Sequence, residues 1–474
     1  MHKDTGVNAK IRRSVTVTIV ILTLLLLAGC GKDSGEIVEG IWEGALKFPG
    51  IEMKVIFKIS RTPDGELKAF LIRPELGDEE MPFTRVILKE RHLQLEVAPG
   101  EVLFDGQVDS EESTLTGNWN QAQFSQPLVL KKVSEVFKFR RPQEPKPPYP
   151  YDEEEVFYVN QEAFCRLAGT LTWPREGWPC PAVLLISGGG AQDRDGMIMG
   201  HRPFWVLADY LTRRGIAVLR VDDRGMGASG CDLSDATSED FAQDALAGVE
   251  FLKNRPEIDP DRIGLIGHSE GGIVASLAAA QSSDVAFIVM LAGPGLPGDE
   301  YNYQFEESMN RVLGRSEEAI ASITAVQRRI FAVLKEEQDT EAARARLQQI
   351  LKDLDPPMPE PMIEGNLRRY LSPWFRYSIT HDPGETLKKV KCPVLALFGE
   401  KDLQVLPEGN LEGVRKALKS GRNPDYRVEE LPGLNHLFQT ARTGAPYEYA
   451  KIEATIAPKA LNLIATWVLE HTKK

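Results

Sequence analysis

Residues 261–280 constrain this chain more than any other stretch. Asp261-Arg-Ile-Gly-Leu-Ile-Gly267 reads as a turn running into a short buried strand. Gly271-Gly-Ile-Val-Ala-Ser-Leu-Ala-Ala-Ala280 reads as a helix opening with small residues. Between them stands Gly267-His268-Ser269-Glu270-Gly271. A strand, a sharp turn and a helix put Ser269 on a bend, and small neighbours let that bend close tightly enough to lift the hydroxyl above a sheet. Past about residue 150 strands and helices alternate, which predicts a mostly parallel sheet.

A serine hydroxyl is a weak nucleophile until a base and an orienting acid act on it. Cys392-Pro-Val-Leu-Ala-Leu-Phe-Gly-Glu-Lys-Asp402 is a hydrophobic strand ending in an acidic turn. Asp402 thus falls at a strand's C-terminal end, where ligand-facing loops of open α/β sheets lie. Glu400, two positions away, competes for the acid role. Tyr426-Arg-Val-Glu-Glu-Leu431 reads as the next strand and leads into Pro432-Gly-Leu-Asn-His436, which supplies the base. The seven histidines are His2, His92, His201, His268, His381, His436 and His471. Of these, His201 and His381 remain as rivals, and His268 is expected to point away from its neighbour Ser269.

The charge that develops on an attacked carbonyl needs preorganised donors. Pro181-Ala-Val-Leu-Leu-Ile-Ser-Gly-Gly-Gly190 supplies a core strand and a loop that backbone can approach closely. Gly189 N–H is the expected donor, with Gly188 and Gly190 as alternatives, beside Glu270 N–H. Neither a Gly-Lys-Ser/Thr ending nor a Gly-x-Gly-x-x-Gly fingerprint follows, which argues against a nucleotide site.

Six blocks in order carry a family resemblance. They are Ser187–Asp195, Val221–Ser229, Gly267–Gly272, Ser372–Phe375, Gly399–Val405 and Leu431–Phe438. From about residue 150 onward the chain resembles bacterial alpha/beta hydrolases related to esterases and to the prolyl-oligopeptidase-like (S9) group. The resemblance implies an α/β-hydrolase fold, a mostly parallel sheet flanked by helices. It also implies the chain order Ser, acid, His, with Ser269 as nucleophile, Asp402 as acid and His436 as base. Gly189-Gly190-Ala191 departs from the Ser-Gly-Pro more common there. Within Asp222-Asp223-Arg224, Arg224 and an Asp are expected to pair internally and fix the turn, with substrate binding as the alternative. Gln192 and its neighbours Asp193, Arg194 and Asp195 are placed near the pocket mouth.

The chain's start carries a second signal. Lys10, Arg12 and Arg13 precede an apolar run from Val15 to Leu27, shorter than the roughly 20 residues a spanning helix needs. It ends in Leu27-Ala-Gly-Cys30, which resembles a bacterial lipobox. The resemblance implies a signal peptide over 1–29, cleavage before Cys30 and acylation there by chains such as palmitate. Multiple acyl chains suffice for stable anchoring, so a cell-envelope lipoprotein facing away from the cytoplasm is expected. An uncleaved hydrophobic anchor is the rival.

At 42% apolar and 26% charged residues the chain matches ordinary globular usage, and its net charge of −13 disfavours nucleic acid and anionic lipid surfaces. Cys165, Cys180, Cys231 and Cys392 lack metal-ligand spacing. A Cys165–Cys180 disulfide is one open pairing, and Cys392 reads as a buried thiol.

Arg141-Pro-Gln-Glu-Pro-Lys-Pro-Pro-Tyr-Pro150 holds five prolines and predicts a stiff extended linker over 139–151. Before it, residues 30–138 show short alternating strands separated by turns such as Pro63-Asp-Gly-Glu66, expected as a small all-β, lipocalin-like domain. After it, 152–474 form the catalytic domain. Residues of about 297–390 interrupt the alternation with a helical composition, read as a cap. Trp374 and Phe375 would either hang from that cap toward Ser269 or glue it to the core.

The expected function is a serine esterase working through an acyl-enzyme, with no metal or cofactor. Its expected partners are a small ester substrate and a bilayer reached through acylated Cys30. A peptidase, amidase or thioesterase with the same triad is the first alternative. A catalytically inactive, surface-anchored binding protein is the second.

Overall fold

A computed structural model of the chain describes residues 38–48, 51–77, 79–97, 103–121 and 124–473. The basic and apolar stretch, the lipobox-like segment and Cys30 lie outside the described residues.

Nine strands make an antiparallel sheet ahead of the proline-rich stretch. They are β1 (Gly40–Phe48), β2 (Ile51–Arg61), β3 (Leu67–Ile72), β4 (Met81–Pro82), β5 (Arg85–Lys89), β6 (His92–Glu96), β7 (Leu103–Asp109), β8 (Thr114–Gln121) and β9 (Phe124–Val133). The order is β4-β3-β2-β1-β9-β8-β7-β6-β5, and β3 also approaches β5, so the sheet curls. Period-two patterning puts Phe104 and Val108 of β7 inside while Gln107 and Asp109 face out. The interior is filled by Trp42, Phe57, Phe104 and Trp119, with Phe57 edge-on to Phe83 and Phe104 at 5.3 and 5.2 Å. Burying each such ring stabilises the sheet by roughly 1.5–3 kcal/mol. Pro127 is tolerated because β1 pairs with β9 only over Leu130–Val133, leaving an open edge beside the proline.

The proline-rich stretch is docked rather than free. Arg141 donates to the carbonyls of Gly200 (2.9 Å) and Ala450 (2.8 Å). The Gln143 amide accepts from the N–H groups of Thr455 and Ile456 and donates to Ile456 O.

Beyond it, eight strands form the second sheet. They are β10 (Tyr151–Asn160), β11 (Cys165–Pro174), β12 (Cys180–Ile186), β13 (Ala217–Val221), β14 (Ile258–His268), β15 (Phe287–Leu291), β16 (Val394–Gly399) and β17 (Tyr426–Leu431). Their order is β10-β11-β13-β12-β14-β15-β16-β17, parallel from β13 to β17 and antiparallel at β10-β11-β13. Phe287–Leu291 and Val394–Gly399 are buried throughout, as strands covered by helices on both faces must be. Chain order reverses around β12, so the loops after β12, β13 and β14 open side by side at one edge.

Between β15 and β16 five helices make the cap: Gly298–Val312, Glu317–Glu336, Thr340–Lys352, Glu360–Tyr370 and Pro373–Thr380. Ser316, Asp339 and Ser372 cap three of their N-termini, each worth about 1 kcal/mol. The cap has its own core of Phe331, Leu334, Leu347, Leu351, Leu367 and Phe375. No helix among the described residues is long and apolar enough to cross a membrane.

Candidate active site

Ser269 sits between the end of β14 and the helix Glu270–Gln281, at φ 56° and ψ −122°. Such a conformation costs a non-glycine residue roughly 1–3 kcal/mol and persists only where its surroundings hold it. Here Ser269 N–H donates to Leu291 O at 2.8 Å and Ser269 O accepts from Gly272 N–H at 2.9 Å. The two flanking glycines are required by space. A Cβ on Gly267 would collide with the Gly271 carbonyl, and one on Gly271 with the carbonyls of Ile186 and Ser187.

His436 follows β17, and its Nδ1 lies 2.8 Å from Asp402 Oδ2 in the loop after β16. The other carboxylate oxygen, Oδ1, accepts the N–H groups of Gln404 (2.8 Å) and Val405 (2.9 Å). With Nδ1 as the donor to Asp402, His436 Nε2 is left as the acceptor. Glu400 does not reach the imidazole. Its Oε2 accepts Gly433 N–H at 2.6 Å and braces the loop that carries the histidine.

A cavity of about 90 Å³ is lined by Ser269, His436, Gly188, Gly189, Gln192 and Gln404, among others. Ser269, the imidazole and the glycine loop therefore share one space. A Cβ on Gly188 would stand 3.1 Å from Ser269 Cβ, so a larger residue would crowd that serine. Gln404 escaped sequence reasoning; its place two residues after Asp402 was the available signal.

The glycine loop is anchored at both ends by Asp223. Its Oδ2 accepts from Ser187 Oγ (2.6 Å) and Gln192 N–H (2.8 Å), while its own N–H donates to Gln192 O (3.1 Å). Burial, together with the nearby charges of Glu270 and Asp222, pushes the Asp223 carboxyl up to about 7. Asp222 instead pairs with Arg194 at 2.8 Å, and Arg224 pairs with Asp244 at 2.9 Å from its Nη2.

Several expectations change on contact with the structure. His268, not counted among the rival bases, nonetheless belongs to the surroundings of the site. It lines the same cavity, its ring lies 4.6 Å from that of His436, and its Nε2 donates to His436 O at 2.9 Å. Burial, reinforced by His436, holds His268 down to about 3, so it stays neutral. Cys165 bonds Cys231 rather than Cys180, because β11 runs beside the loop after β13 while Cys180 opens β12. Burial pushes the free thiols of Cys180 and Cys392 up, to about 11 and about 12. Phe375 turns into the cap core, 3% exposed, against Phe331 and Tyr370. Trp374 faces the other way and donates through Nε1 to Glu270 Oε1 at 2.9 Å.

The rival histidines are otherwise engaged. His201 is fully buried between Thr455 Oγ1 and Tyr449 O, and burial lowers it to about 4. His381 pairs with Tyr377 in the cap region. Among the described residues, no group of three or more His, Cys, Asp or Glu could hold a metal.

A model described as the Alpha/beta hydrolase family matches residues 183–448, more than half of the chain. Esterase EstD of Thermotoga maritima is 26% identical over 321 residues, which cover 68% of this chain and 69% of that protein. Putative hydrolase YtaP of Bacillus subtilis is 33% identical over 24% of this chain and 43% of its own length. Human Dipeptidyl peptidase 8 is 31% identical over 30% of this chain and 17% of its own length. An esterase structure from Pyrococcus furiosus aligns at 16% identity over 71% of this chain and 98% of its own, with a TM-score of 0.41.

Proposed function

The chain belongs to the alpha/beta hydrolase family, and from that premise we propose that it is a serine hydrolase cleaving carboxylic esters through Ser269, His436 and Asp402. The reading is carried by one observation: His436, paired with Asp402 behind it, lines the same cavity as a serine held in a strained turn.

In the proposed cycle His436 Nε2 takes the proton of Ser269 Oγ as that oxygen bonds to the acyl carbon. The carbonyl oxygen becomes an oxyanion, held by the N–H groups of Gly189 and Glu270, and each such donor is worth roughly 10²–10³ in rate. The C–O bond to the alcohol breaks, and the leaving oxygen takes the proton from Nε2. Water then repeats the sequence on the acyl-enzyme, giving its proton to Nε2 and releasing the acid and free Ser269. Asp402 steadies the imidazolium in both halves.

The experiment is hydrolysis of nitrophenyl esters and labelling by a fluorophosphonate. Wild type should do both and Ser269→Ala neither. Undiminished turnover in Ser269→Ala would sink the reading. A peptidase, amidase or thioesterase is the second reading, favoured by the matches to Dipeptidyl peptidase 8 and to Thiohydrolase aneE of Aspergillus aculeatus. A panel of aminoacyl amides and thioesters alongside esters separates them.

The same proposal extends to placement. Residues 1–29 act as a lipoprotein signal, Cys30 is acylated, and 30–138 stand between the anchor and the catalytic domain. The Cys165–Cys231 disulfide supports export to an oxidising compartment. Cys30→Ala should abolish incorporation of labelled palmitate; retained incorporation would exclude acylation at Cys30.

A further inference from the structure

A second cavity, of about 300 Å³, adjoins the one that holds Ser269, and Gly188 borders both. Its wall is largely apolar, with Leu167, Phe241, Val274 and Trp374. Four carboxylates also reach it: Asp222, Asp223, Asp244 and Glu270. Two are neutralised, Asp222 by Arg194 and Asp244 by Arg224. No arginine, lysine or histidine pairs with the other two among the described residues.

Asp223 and Glu270 are used in the same lopsided way. Asp223 accepts two hydrogen bonds on Oδ2, from Ser187 Oγ and Gln192 N–H. Glu270 accepts two on Oε1, from Ser238 Oγ (2.6 Å) and Trp374 Nε1–H (2.9 Å). No hydrogen bond among the described residues reaches Asp223 Oδ1 or Glu270 Oε2. Neither of these oxygens is among the fully enclosed polar atoms that lack a partner. Each therefore keeps some exposure; both side chains line the cavity, Glu270 Oε2 lies toward Gly189 of the glycine loop, and the proposed ester cycle employs neither oxygen.

We propose that this cavity receives a protonated amine carried by the substrate, held between Asp223 Oδ1 and Glu270 Oε2. The inference rests on the hydrolase reading and names its substrate class: an ester or amide bearing an alkyl- or arylalkylammonium group. An ammonium is a point charge with three donors, which suits two single oxygens from two different side chains. A guanidinium would call for one carboxylate presenting both oxygens as a fork. A metal ion lacks the ligand set it would need. The apolar wall takes the hydrocarbon that carries the amine. Burial raises the Glu270 carboxyl, and burial with the charge of Glu270 raises Asp223. A cation between them offsets that repulsion.

Calorimetry on the full chain with 3-phenylpropylammonium and 3-phenylpropan-1-ol at pH 8 tests the site without catalysis. The ammonium should bind about tenfold tighter or better, as expected of charge-assisted hydrogen bonds. Asp223→Asn and Glu270→Gln should each draw that ratio toward one. Equal affinities in wild type, or a ratio unchanged in both variants, overturn the proposal. A catalytic arm compares kcat/KM for the nitrophenyl esters of 6-aminohexanoate and heptanoate. Taking their ratio cancels any general loss from a disturbed glycine loop. Enzyme that a fluorophosphonate labels but that ignores charge in both arms sinks the cation site alone. Cation binding without labelling of Ser269 sinks the hydrolase reading alone.

Discussion

His268 Nε2 donates to the backbone carbonyl of His436 at 2.9 Å, and the two rings lie 4.6 Å apart. The residue before Ser269, the proposed nucleophile, therefore holds the main chain of the proposed base, while Asp402 holds its ring. Because burial keeps His268 neutral, this donor persists across the working pH range. His268→Ala orphans a carbonyl and frees the loop. It should lower kcat by about tenfold with little change in KM, since small misplacements of a reacting group cost rate. His268→Gln, which retains an N–H donor, should recover part of the loss. Steady-state kinetics of the two variants decide, and equal kcat in wild type and His268→Ala would remove the role.

Asp402→Asn keeps the shape of the acid but presents an amide to His436 Nδ1. By the logic of triads the imidazole then takes the wrong tautomer, and kcat should fall by about 10⁴. Glu400→Gln keeps an acceptor for the Gly433 N–H and loses only charge assistance, about 1 kcal/mol, so kcat should stay within about fivefold. Parallel ester assays separate the two carboxylates, and comparable losses would overturn the assignment of Asp402.

The Asp223 carboxyl has an ordinary value of 3.8 and is raised to about 7 in the folded chain. Its folded form binds the proton more tightly than its unfolded form. Its contribution to stability is thus complete below about 4 and is lost as pH rises toward 7. His201 and His268, held neutral by burial, change stability in the opposite sense over the same range, so the test is a difference. The wild-type thermal midpoint minus that of Asp223→Asn, which still accepts from Ser187 and Gln192, should fall between pH 4 and 8. Matching slopes would show that Asp223 does not titrate there.

The Cys165–Cys231 bond closes a loop of 66 residues. Chain entropy alone makes that worth roughly 4 kcal/mol relative to the reduced unfolded chain. Reduction, or Cys165→Ser, should lower the denaturant midpoint accordingly, whereas Cys180→Ser should not make it insensitive to reductant. A midpoint unmoved by dithiothreitol would remove the bond from the folded protein.

Local chemistry made part of this molecule legible. The elbow was readable because only small residues tolerate the backbone contacts at Gly267 and Gly271, so the pattern is written into composition. The buried strands before Ser187, Ser269 and Asp402 were readable because burial on both faces demands continuous apolar runs. The helical cap showed in its amino-acid usage. Partnerships among residues far apart in the chain were not readable in the same way. Cys165 and Cys231 meet because β11 lies against β13 while β12 sits on β13's other side. No spacing rule encodes that.

The same division holds at the site. The sequence alone determined which side chains can do acid–base and nucleophilic work, and their order along the chain. Tertiary structure alone decided that His268 braces His436, that Phe375 fills the cap core while Trp374 reaches Glu270, and that Asp223 ties down the glycine loop. The physical reason is range. Turn sterics and strand burial act between neighbours in sequence. Hydrogen bonds, ion pairs and cavities act between whatever the fold brings within a few ångströms.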